Sequence, residues 1–88
     1  MSLEIIDLVR RTRLSDTALV TAFTAGPNYL AAGLDDGTVS VMSPRGEPIR
    51  TLPAPDGAHT PVCLAMREHY LIVGHTSGMI EYWDLDSG

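Results

Sequence analysis

"GLDDGTVSVM" occupies residues 33–42, and "GHTSGMIEYW" occupies residues 74–83. Each sets a Gly, three residues and a second Gly ahead of a short alternating run. Gly reaches positive φ without a Cβ clash, so paired glycines before such a run read as a tight turn between strands. Gly33 and Gly37 recur 41 places later as Gly74 and Gly78, all four expected as turn glycines. The same punctuation written twice in 88 residues reads as an internal repeat.

Outward from these stretches the match continues. Tyr29 and Leu30 recur as Tyr70 and Leu71, and Ala31-Ala32 fall on Ile72-Val73. Val39 falls on Ile80, Val41 on Tyr82 and Met42 on Trp83. Short apolar runs at 18–24, 29–34, 38–43, 48–52, 62–66, 70–74 and 79–85 are divided by "AGPN", "DDG", "SPRGE", "PAPDGAHTP", "REH" and "HTSG". Gly, Pro, Asn and Asp fill such gaps because they bend the chain at low cost. Strands at this spacing, with no long 3.6-residue stripe, predict an antiparallel all-β fold. A period near 41 is that of a four-stranded propeller blade.

At these residues the chain resembles the WD-repeat β-propeller family. The resemblance rests on "YLAAGLDDGTVSVM" and "HYLIVGHTSGMIEYWDLDSG", with "AHTPV" where that family has Gly-His, and it covers residues 17–88. Trp83-Asp84 followed by "LDSG" is its most specific fragment. The family implies a relay from a His before the first strand, through a Ser/Thr and a turn Asp, to a third-strand Trp. Here the set is split. The first unit has Asp36, but residues 14–18 hold no His and Met42 replaces Trp. The second has His59 and Trp83, but Ser77 stands at the Asp position, and Ala32 and Val73 stand at the Ser/Thr positions.

The strand count predicts one unit over 1–88: a first blade at 17–53, three strands of a second at 54–88, and an outer strand at 3–10. With strands lettered outward from the propeller axis, the order is d-abcd-abc. Local signals in "SLEIIDLVRRTRL" fit a helix capped by Ser2 as well as a strand, and the count favours the strand. Leu3, Ile5, Ile6, Leu8 and Val9 would then join it to the 79–85 strand of a neighbouring copy. Two blades cannot close a ring of roughly 4–8. Other copies of the chain are therefore the expected partners, with three copies making six blades and four making eight, the tetramer favoured. A part of a longer or split propeller is the alternative.

Composition sets further limits. With 44% hydrophobic and 19% charged residues, and no apolar run of membrane-spanning length, the sequence reads as a cytoplasmic, non-membrane protein. The net charge of −5, with Arg10, Arg11 and Arg13 as the only basic cluster, argues against nucleic acid. Cys63 is the sole cysteine and, inside "PVCLAM", reads as a small buried hydrophobe. His69 and His75 sit at opposite ends of one predicted strand, poorly placed to share a metal. Asp35 and Asp36 read as turn residues. No catalytic residue, cofactor site or metal site is expected. The reading is a non-enzymatic protein-interaction scaffold that self-assembles. An engineered or purely structural self-assembling unit is a second reading, and an enzyme with a site at the ring axis is a third.

Overall fold

Seven strands and no helix appear among the described residues, 17–56 and 60–87, of the computed structural model. In chain order they are β1 (Val20–Ala25), β2 (Leu30–Leu34), β3 (Val39–Met42), β4 (Pro48–Leu52), β5 (Pro61–Arg67), β6 (Tyr70–His75) and β7 (Ile80–Asp84). They form two antiparallel sheets, one ordered β1-β2-β3-β4 and the other β5-β6-β7. The expected strand at 3–10, with Leu3, Ile5, Ile6, Leu8 and Val9, lies outside the described residues. So does His59.

The two sheets repeat each other hydrogen bond by hydrogen bond. Leu34 N donates to Thr38 O and Gly37 N to Leu34 O; 41 places on, His75 N donates to Met79 O and Gly78 N to His75 O. Asp35 N donates to Leu19 O, and Thr76 N to Thr60 O. Cross-strand registers agree as well, with Ala31 opposite Val41 and Gly33 opposite Val39 in one sheet. Ile72 lies opposite Tyr82 and Gly74 opposite Ile80 in the other. Even the irregularity recurs: the register shifts between Val20 and Ala22, and again between Pro61 and Cys63. An extra residue on the first strand of each sheet bends it locally and sharpens its twist.

Gly37 and Gly78 hold φ of 96° and 91° in the turns before β3 and β7, where a Cβ would be strained. Gly33 and Gly74, expected with them in turns, instead lie inside β2 and β6, opposite Ala22 and Cys63 at the bulges. The reason at Gly33 is a close approach. A Cβ there would stand 2.8 Å from Pro61 Cβ and 3.2 Å from its Cγ, so the second sheet packs directly on the bare backbone.

One hydrophobic cluster draws on both sheets. Ala31, Val39, Val41 and Leu52 come from the front of the first, and Leu71, Val73 and Leu85 from the second, with Leu64, Met66 and Trp83 packed against them. Side chains alternate across a strand, so front and back of each sheet follow from parity. The front of the first sheet meets the back of the second. On the first sheet's own back, Ala32, Leu34 and Met42 are buried, whereas Val20 and Phe23 on β1 are 56% and 57% exposed.

Candidate functional site

What sets the second sheet apart is the side of it that nothing in the described chain covers. Each position on its front has a counterpart on the first sheet, so the difference in environment can be read residue by residue. Val39 is 2% exposed and its counterpart Ile80 is 60% exposed; Val41 is fully buried and its counterpart Tyr82 is 75% exposed. Val62 and Tyr70 are half exposed beside them. Cys63, expected inside the core, is exposed on this front. Strand parity turns it away from Leu64, which packs on the opposite, covered face. In the first sheet β4 pairs along β3, whereas β7 has no described strand on its far side. The site is thus a sheet edge and an apolar face that share β7.

Tyr82 and Trp83 take opposite faces. Tyr82 points away from the core, while Trp83 lies opposite Leu71 and packs, half-buried, on the inter-sheet cluster. Its indole Nε1 is buried and has no hydrogen-bond partner among the described residues. Asp36 lies in the turn between β2 and β3. It closes its own turn, its Oδ1 accepting from Thr38 N at 2.9 Å and Thr38 Oγ1 at 2.6 Å, and these bonds hold its carboxyl below the usual range. Of the residues carried over from the family relay, Asp36 thus belongs with the first sheet and Trp83 with the second.

A polar cluster that sequence reasoning missed lies at the end of the molecule where β5 turns into β6. A carboxylate only accepts, so the 2.8 Å contact between His69 Nδ1 and Asp84 Oδ1 places the proton on Nδ1. That bond raises the His69 pKa and lowers that of Asp84. Asp84 Oδ1 also accepts from Asp86 N at 3.1 Å. Tyr29, which precedes β2, donates its hydroxyl to Asp86 Oδ1, tying the first sheet to the end of β7. The bond to Asp86 raises the Tyr29 pKa. The hairpin register holds the signal for this cluster: Tyr70 opposite Asp84 brings His69 alongside the carboxylate.

At the other end of β6, the buried His75 donates Nε2–H to Glu81 Oε1 at 2.8 Å. No group of three or more His, Cys, Asp or Glu side chains among the described residues is arranged to hold a metal ion. No helix among them is long and apolar enough to cross a membrane.

The class defined by the described residues is an all-β architecture of two repeated antiparallel sheets, the second with an exposed apolar face and no described strand beyond β7. Two solved structures share the fold. The computationally designed Ika4 protein matches with a TM-score of 0.63 and 22% identity, over 75% of this chain and 41% of its own. The computationally designed Ika8 protein matches with a TM-score of 0.65 and 23% identity, over 78% of this chain and 21% of its own. The chain thus spans less than half the length of either structure. No protein-family model and no curated protein matches it.

Proposed function

We propose that the chain is a self-assembling structural unit, two blades of a WD-repeat-like β-propeller whose ring is completed by further copies, and that assembly rather than catalysis is its property. The observation that carries this reading is the contrast between Val39 and Val41, buried, and Ile80 and Tyr82, exposed at equivalent places. An open apolar face beside an unpaired edge is an aggregation hazard unless something covers it. Copies related by rotation would cover it with the contact that the first sheet already makes to the second.

The likeness to Ika4 and Ika8, both designed proteins, supports an engineered or purely structural unit over a natural interaction scaffold. The matched region makes up only 41% and 21% of those chains, which supports an architecture that continues beyond two sheets. Ring closure then asks for four copies, or three in the smaller ring.

Light scattering coupled to size exclusion tests the proposal. The expected mass is about four times the 9.5 kDa of one chain, or three times it for the smaller ring. A monodisperse species of one chain mass at every concentration up to the millimolar range overturns it.

A further inference from the structure

Nothing among the described residues requires residue 74 to be glycine. It lies inside β6 without positive φ. A Cβ added there would meet only Cys63, 3.6 Å from its Cβ and 3.8 Å from its carbonyl oxygen, which is ordinary contact. Glycine inside a strand weakens it and commonly marks a close approach of another backbone or a ligand. At Gly33, the repeat counterpart, that approach is visible: Pro61 fills the space where a Cβ would sit, and its side chain is fully buried there.

We infer that Gly74 is the seat for Val20 of a second copy of this chain. The inference rests on the self-assembly proposed above and specifies its contact. Three observations carry it. The seat is preformed, because the bulge, the cross-strand register and the turn hydrogen bonds around Gly74 repeat those around Gly33. The occupant follows from the same period: the residue 41 places before Pro61 is Val20, which is 56% exposed. The route is open, because β1 carries the exposed part of the first sheet's back, with Phe23 also 57% exposed.

A second copy's β1 would therefore lie against β5 and β6, as β5 lies against β1 and β2 within one chain. Ile80, directly opposite Gly74, would form one wall of the seat, as Val39 does beside Gly33. The two surfaces differ, so the interface is head-to-tail and propagates from copy to copy until the rotation closes.

Gly74→Ala tests the seat while respecting the fold, because its methyl fits within the chain at 3.6 Å from Cys63. The expected result is an unchanged far-ultraviolet circular dichroism spectrum and a dissociation midpoint, read by light scattering on dilution, at least tenfold higher than the parent's. The same midpoint in parent and variant overturns the seat. A monomeric parent overturns the assembly reading itself, which separates the two failures.

Crosslinking decides the matter independently, including the case in which Gly74→Ala fails to fold. One copy carries Val20→Cys with Cys63→Ser; the other is the parent, whose only thiol is Cys63, beside Gly74. Mixed and oxidised, they should yield a disulfide-linked pair, since neither chain can form such a bond internally. An assembled mixture that gives no such pair, while Cys63→Ser alone assembles normally, overturns the seat and leaves assembly standing.

Discussion

Ile80→Ala should cost little in the dilute chain and much more once copies assemble, whereas Val39→Ala should cost the same in both. The two residues occupy equivalent places, so the comparison isolates their cover. Ile→Ala removes three carbons, worth about 2.4 kcal/mol at about 0.8 kcal/mol per buried carbon. Ile80 is 60% exposed. The dilute chain should therefore lose only about 1 kcal/mol. Val39 is 2% exposed. Its truncation removes two carbons, about 1.6 kcal/mol of transfer, and leaves a cavity, for a total of about 2–3 kcal/mol. Covering Ile80 with a second copy restores the full transfer and adds a cavity, raising its penalty to about 3–4 kcal/mol. Urea titration followed by fluorescence of Trp83, the only Trp, reads both variants at two protein concentrations, one below and one above the parent's dissociation midpoint. The reasoning is refuted if the Ile80→Ala penalty stays constant between them. It is also refuted if that penalty equals the Val39→Ala value in the dilute chain.

Three further outcomes follow from the turns and the polar cluster. Gly78 sits at φ 91° with nothing within 4 Å of an added Cβ, so Gly78→Val should show backbone strain alone. That strain is about 1–2 kcal/mol, read from the urea midpoint, and Gly78→Asn should lose less because Asn tolerates the left-handed region better. Asp36→Ala removes both bonds to Thr38 and should lose about 1 kcal/mol at neutral pH. The lowered Asp36 pKa means this contribution is present above the unfolded carboxyl value, so the gap between parent and variant should close as pH falls through the folded one. Asp84→Asn should bring the His69 pKa down towards the ordinary histidine value, followed by NMR titration of the imidazole. The raised His69 pKa adds stability that is fully present below the unfolded value and lost as pH rises through the folded one, and the variant should show a weaker dependence, since Asp86 and Glu68 still raise that pKa.

The strands were legible because turn residues punctuate them: "YLIVG" was expected at 70–74, and β6 runs Tyr70–His75. Gly37 and Gly78 were legible for the same local reason, since a turn of that shape needs positive φ. Gly33 and Gly74 were not. Their role depends on which side chain of another sheet arrives at the bare backbone, and Pro61 is 28 residues from Gly33 in sequence. Cys63 was misplaced because apolar neighbours suggest burial, while strand parity decides which face a residue takes and cover decides whether that face is buried. The tie between His69 and Asp84 needed the hairpin register, and the tie between Tyr29 and Asp86 needed the packing of two sheets. Neither quantity is local.

Where the two sheets differ in sequence also bears on what the open face is for. A strand face meant for water would carry polar side chains at alternate positions, as the solvated side of an antiparallel sheet does. β7 does not follow that rule on its front: Ile80 and Tyr82 keep the apolar character of Val39 and Val41 although they are 60% and 75% exposed. On the covered side, a polar residue replaces an apolar one at His75. His75 and Glu81 stand where the first sheet has Leu34 and Ser40, and they bond to each other. Large apolar groups retained on an uncovered face, beside a glycine with room for a side chain, are what a sheet needs where another sheet arrives. The same features would only weaken a sheet that ended in solvent. The middle of the second sheet's front, at Ile72, Ile80 and Tyr82, thus keeps apolar groups, and in the proposed assembly Val20 and Phe23 on β1 of a second copy would cover it.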